Sequence, residues 1–264
     1  MTLKLFHASE SLGSQKVKLV LAEKNLEWES HLLNLLTFEN LDPSYVRLNP
    51  TAVVPTLVHG DRVITNSDTI VEYLNKQFPN PKLAFTEPKL QAQMNHWIDL
   101  QNQLPMRELI YGSSGGIEGV VLRRSVRLKE KLLSQLTQTH PELKEQYSAK
   151  LKDVRQWNST IQNEQELVNI NAKIHPILDC LEQQLSQTDW LCGSTYSLAD
   201  VTWTPILHQL DERKFSHLCL DDTRPALKSY FNRLKSRPSF VIAVENRMSS
   251  SMLLRGLCRI FIGI

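Results

Sequence analysis

The sequence predicts an α/β N-terminal domain joined to an all-α C-terminal domain. Three observations predict it. Residues 2–78 alternate strand-like and helix-like patterns and close on a hairpin and a helix. Residues 79–88 (PNPKLAFTEP) read as a proline-rich linker. Past that linker strand signals nearly vanish and helical spacing takes over.

Residues 2–6 (TLKLF) read as a strand and 14–24 as a helix with Val17, Val20 and Leu21 on one face. Residues 27–33, with Trp28, Leu32 and Leu33, read as a second strand. LDPSYVRLNP at 41–50 gives a short helix ending near a proline. Residues 55–58 and 62–65, around His59-Gly60-Asp61, give a hairpin. Asn66, Ser67 or Asp68 can cap the next helix, whose Ile70, Val71, Leu74 and Phe78 keep helical spacing. A parallel strand-helix-strand unit beside an antiparallel hairpin requires a mixed sheet covered by helices. The first domain is therefore placed at 1–80 and the second at 89–264.

In the second domain, 89–111 reads as a helix interrupted at Pro105, and SSGGIEG at 113–119 as a flexible break. Residues 120–157 and 164–187 read as further helical stretches. The long charged insert, about 113–165, carries Arg123, Arg124, Arg127, Lys129 and Lys131. That cluster suits a solvated helix face, or a surface meeting an anionic membrane or partner. The tail, 250–264, is apolar apart from Arg255 and Arg259, four apart on one helical face. It suits an arm packed over the interdomain cleft or peripheral membrane contact, and it is too short to span.

Composition narrows the class. Hydrophobic residues are 41% and charged residues 22% of 264, as in a soluble globular protein. A formal net charge of +2 gives no electrostatic case for nucleic acid. Cysteines at 180, 192, 219 and 258 form no CxxC pair, so reduced thiols are expected. No signal-peptide core opens the chain and no apolar run is long enough to span a membrane, so a cytoplasmic location is expected. The eight histidines form no metal-like pair, and no metal or cofactor is expected.

Four patterns carry the functional reading. Ser11-Leu-Gly-Ser-Gln-Lys-Val-Lys18 lies between the first strand and first helix. Asn49-Pro-Thr-Ala-Val-Val-Pro55-Thr-Leu57 leads into a strand. Asn66-Ser-Asp-Thr-Ile70 opens the following helix. Trp190-Leu-Cys-Gly193 precedes Tyr196-Ser-Leu-Ala-Asp200, whose Ser197-x-x-Asp200 has capping-box form. In this order the four resemble the glutathione transferase superfamily over nearly the whole chain. The long charged insert resembles two of its branches, the plant tetrachlorohydroquinone-dehalogenase-like class and the ganglioside-induced differentiation-associated family.

The resemblance implies a thioredoxin-like N-terminal domain and the glutathione transferase fold. It makes Ser11 the catalytic residue, five positions before the first basic residue of Lys16-Val17-Lys18. A hydroxyl at a helix N-terminus can donate to a thiol and stabilise the thiolate. The same serine also reads as a plain helix cap, with Ser9 and Ser14 as rivals. Val54-Pro55 is implied to be cis, with the Val54 backbone pairing with glutathione as an added strand would. Ser67 is implied to anchor the γ-glutamyl carboxylate at a helix N-terminus. Asn66 stands where the family commonly has Glu or Gln, and Val53 where it often has Lys or Gln. Both departures imply a looser grip on glutathione. Trp97, Gln101, Met106 and Tyr111 are candidates for an electrophile pocket between the domains. Asp200 is assigned a structural role only.

The implied activity is conjugation of glutathione, as co-substrate, to a small hydrophobic electrophile. The competing reading is a non-catalytic glutathione-fold binding or scaffolding protein. Glutathione-dependent reduction is a third, disfavoured by serine rather than cysteine at position 11. Most members of the superfamily dimerise, so a homodimer is a candidate state.

Overall fold

The computed structural model describes residues 2–212, 223–245 and 248–263. Cys219 and the last residue of the tail, Ile264, lie outside the described residues.

Four strands, β1 (Leu3–His7), β2 (Trp28–Leu32), β3 (Thr56–His59) and β4 (Arg62–Thr65), form one sheet in the order β2-β1-β3-β4. β1 pairs parallel with β2, and β3 pairs antiparallel with β1 and β4. The sheet is mixed, as the sequence requires. Helices α1 (Leu12–Glu23) and α3 (Ser67–Gln77) pack against each other beside it, and α2 (Pro43–Leu48) lies between β2 and β3. Leu5, Leu57, Val17, Val20, Ile70 and Leu74 are fully sealed between these layers. The inward residues of β1, Leu3, Leu5 and His7, alternate with exposed Lys4 and half-buried Phe6.

The remaining described elements are helical apart from short turns. They are α4 (Pro88–Asn102), α5 (Met106–Ser113), α6 (Gly116–Thr139), α7 (Lys144–Ile161) and α8 (Glu164–Leu185). After them come α9 (Leu198–Glu212), α10 (Pro225–Lys235), α11 (Pro238–Ala243) and α12 (Ser250–Phe261). Pro105 separates α4 from α5. The stretch 113–119 is not a flexible break throughout. Only Ser114 and Gly115 are non-helical, and α6 starts at Gly116. Gly119 lies in the first turn of α6, where an added Cβ would strike the Ser114 carbonyl. Residues 120–157 divide into two helices around a 3-10 turn at Pro141–Leu143.

α9 is buried along most of its length and joins the domains. Asp200 holds its start. Its carboxylate accepts from the Ser197 amide at 2.8 Å, the Ser197 hydroxyl at 3.0 Å, the Leu191 amide at 3.0 Å and the Tyr230 hydroxyl at 2.8 Å. Burial raises the Asp200 pKa, and these donors pull it back. Trp203, on the same helix, donates to the Trp97 carbonyl at 2.9 Å.

The charged insert has a core of its own. Val126, Leu133, Tyr147, Val154 and Trp157 pack with Phe38, Leu41, Val46 and Ala52 from the N-terminal domain. Tyr147 donates to the Leu41 carbonyl at 2.9 Å. α6 and α7 thus form a hairpin lying on the loop between β2 and β3.

Candidate active site

A cavity of about 660 Å³ is lined by residues of both the sheet domain and the helical domain. One end is bounded by Ser11, Leu12, Gly13, Val53 and Val54. Its opposite walls come from Tyr111 on α5, Val121 and Lys129 on α6, Lys150 and Trp157 on α7, and Leu253 and Leu257 on α12.

Ser11 is the N-cap of α1, with extended backbone, and its Oγ accepts from the Ser14 amide at 3.2 Å. The cap reading and the catalytic reading are therefore compatible. An Oγ that accepts from the helix keeps its own proton to donate outward. Ser14 is fully buried and its Oγ accepts from the Ala8 amide. Ser9 is buried too, and its carbonyl accepts from the Gln15 side chain at 2.9 Å. Of the three serines, Ser11 faces the cavity.

Gly13 brings this turn against the other two motifs. A Cβ there would lie 3.1 Å from Pro55 Cδ and 3.3 Å from Ser67 Oγ. The Val54–Pro55 bond is cis. Tyr45 Oη donates to the Val53 carbonyl at 2.6 Å and Asn49 Nδ2 does so at 2.8 Å, which fixes the bend before it. The Val54 backbone N–H and C=O take no partner among the described residues. Neither do the Ser67 amide and hydroxyl at the first position of α3.

Asn66 is turned to a different use. Its Oδ1 caps α3, accepting from the Asp68 amide at 2.9 Å and the Thr69 amide at 3.3 Å. Asp68 joins Lys16 in an ion pair at 2.6 Å, tying α3 to α1. This tie joins two motifs 52 residues apart, and local patterns carry no sign of it. Lys18 lies buried with no hydrogen-bond partner for its ammonium group among the described residues, and burial lowers its pKa to about 8.

The expected electrophile wall divides. Tyr111 lines the cavity, its ring 4.5 Å from that of Trp157. Trp97, Gln101 and Met106 do not line it. All three are buried, and Trp97 and Met106 belong to the main hydrophobic core. Sequence reasoning missed Trp157, Lys150 and Arg107, which lie on this wall.

The basic cluster of α6 is not uniformly solvated. Arg123 donates to the Ser114 carbonyl at 3.0 Å and Arg124 to the Ile260 carbonyl at 2.7 Å. Lys129 turns into the cavity, while Arg127 and Lys131 are exposed. The tail takes the packed arrangement. Asn34 donates to the Met252 carbonyl at 2.8 Å, and Leu36 fills the space over Gly256. Leu254 and Ile262 stay exposed on its outer face. Among the described residues no helix is long and apolar enough to cross a membrane.

The family model of the glutathione S-transferase N-terminal domain matches residues 5–82, and that of the C-terminal domain matches residues 157–238. The chain belongs to the glutathione S-transferase family, a family of glutathione-dependent enzymes. It is 29% identical over 243 residues to a tetrachloro-p-hydroquinone reductive dehalogenase of Sphingobium chlorophenolicum, covering 90% of this chain and 94% of that one. It is 27% identical over 266 residues to the human ganglioside-induced differentiation-associated protein 1-like 1, covering 90% and 72%. The crystal structure of the beta-etherase LigF from Sphingobium superposes with a TM-score of 0.72 at 24% identity, over 97% of this chain and all of that one. Both branches expected from the insert are thus among its relatives.

Proposed function

We propose that this transferase conjugates glutathione to a small hydrophobic electrophile, with Ser11 stabilising the thiolate. The observation that carries the reading is the meeting of Ser11, the unpaired Val54 backbone and unpaired Ser67 around Gly13, with Ser11 and Val54 lining one largely apolar cavity. Glutathione would pair along Val54 and set its γ-glutamyl carboxylate on Ser67 at the N-terminus of α3. The thiol loses its proton to solvent, and the Ser11 hydroxyl donates to the resulting sulfur anion. The sulfur then forms a bond to the electrophilic carbon, and a leaving group departs with the bonding pair. The enzyme lowers the barrier by favouring the thiolate over the thiol.

Asn66 favours the scaffolding alternative, because its oxygen is committed to the helix cap and Val53 offers no charge. The Ser11→Ala variant separates the two. Turnover of 1-chloro-2,4-dinitrobenzene should fall roughly tenfold to a hundredfold. Glutathione affinity by calorimetry should stay within about threefold. Stability should drop by about 1 kcal/mol through the lost cap. Unchanged turnover would remove Ser11 from the chemistry. Binding by the wild type with no turnover of any electrophile would support the scaffold. A second copy of the chain is the proposed oligomeric partner, which light scattering would test.

A further inference from the structure

The wall of the cavity contributed by the insert carries more positive charge than the contacts around it neutralise. Arg107 approaches Glu108 at 3.0 Å and Asp153 at 3.2 Å, and Lys150 approaches Asp153 at 3.4 Å. Two carboxylates therefore serve two cations. Lys129 is the third cation and forms no ion pair or hydrogen bond with the described residues. Its Nζ lies between two rings, 5.7 Å from the Phe38 centroid and 5.8 Å from that of Trp157. These contacts are weak and add no counter-charge, so the half-buried ammonium still faces the cavity without a carboxylate of its own. Burial lowers the Lys129 pKa to about 8, with Lys150 and Arg107 pushing the same way and Asp153 opposing. Glu10 and Glu118 also line the cavity. Glu10 is beside Ser11, and Glu118 is eleven residues before Lys129, about 16 Å along the helix.

A half-buried ammonium without a protein counter-charge, held at the edge of an apolar cavity, is a ready partner for a ligand carboxylate. The aromatic rings around it and the aliphatic wall of Val121, Leu253 and Leu257 suit an apolar ligand body. We infer that Lys129, supported by Lys150 and Arg107, is an anion subsite that selects electrophiles carrying a carboxylate on an aromatic or aliphatic body. This deepens the transferase reading and rests on it for the word electrophile. The subsite itself is a binding claim. The same carboxylate chemistry is also present at the glycyl end of glutathione, so the test must separate the two sources.

The test is calorimetric titration of the unreactive 2-naphthoate and its methyl ester into the full chain, with and without saturating glutathione. The wild type should bind the acid about tenfold or more tighter than the ester, as one charge-assisted contact supplies. That preference should persist with glutathione present. Lys129→Gln should abolish it while leaving ester affinity within about twofold, and Lys129→Arg should restore most of it. Equal binding of acid and ester by the wild type would overturn the inference. So would acid binding that saturating glutathione abolishes, because Lys129 would then serve the glycyl carboxylate. Turnover of neutral 1-chloro-2,4-dinitrobenzene is measured alongside. Absence of its turnover together with that of the carboxylate-bearing 4-chloro-3,5-dinitrobenzoate would sink the transferase reading, while the naphthoate titrations still decide the subsite.

Discussion

On one side of the cavity Ser11 and Val54, with Ser67 packed behind Gly13, offer a hydroxyl, a backbone edge and a helix N-terminus. On the other, Arg107, Lys129, Lys150 and Trp157 offer long cations and a ring. The first wall is built from short groups held by the backbone, so its geometry follows from caps, a cis X–Pro bond and a close-packed glycine. The second is built from side chains reaching in from three helices, so its geometry depends on how α5, α6 and α7 pack. A backbone-built wall suits a constant ligand such as glutathione. A side-chain wall can change its ligand by single substitutions without disturbing the first.

The largest expected effect falls where both walls share support. Asp200→Ala would leave the Leu191 and Ser197 amides and the Tyr230 hydroxyl without their buried acceptor. Removing one partner from such a buried network typically costs about 3–5 kcal/mol. Urea titration should show that loss, and Asp200→Asn should recover part of it. A loss under about 1 kcal/mol would mean that α9 is held by packing alone.

The same contrast explains what the sequence could tell. Caps, the Val-Pro step and the β-α-β order are local, and each follows from residues within a few positions of one another. The cation wall is not local. Arg107, Lys129, Lys150 and Trp157 meet only because α6 and α7 fold back as a hairpin onto the loop holding Phe38. Nothing in their spacing announces it, and on α6 alone Lys129 looks like any solvated lysine. Trp97 and Gln101 show the converse limit. Helical spacing finds the buried face of α4 but not its neighbour, and that neighbour is α9 rather than the cavity. The glycines at 115, 116 and 119 suggested a loop, yet Gly119 is where α6 needs a residue without a side chain.

An intermediate effect should appear where the tail closes over both walls. A Cβ on Gly256 would stand 2.5 Å from Leu36 Cβ, so Gly256→Ala must shift α12. Overpacking of this kind costs about 1–3 kcal/mol. Hydrogen exchange should quicken across 250–261 with the β-sheet unaffected. If exchange in the tail is unchanged, α12 does not depend on its seat against Leu36.

The smallest effect tests whether the backbone-built wall needs side-chain ties at all. The Lys16–Asp68 pair is 2.6 Å long, but the Asp68 side chain is 36% exposed. Its contribution to stability should therefore be about 1 kcal/mol or less. Asp68 sits next to Ser67, so losing the pair should loosen the N-terminus of α3 more than it weakens the fold. Asp68→Ala should raise the KM for glutathione by roughly twofold to fivefold with kcat nearly constant, the signature of lost uniform binding. A matching fall in kcat would show that the tie extends to Ser11 through the Gly13 contact. The two motifs would then act as one unit, and the first wall would depend on side chains much as the second does.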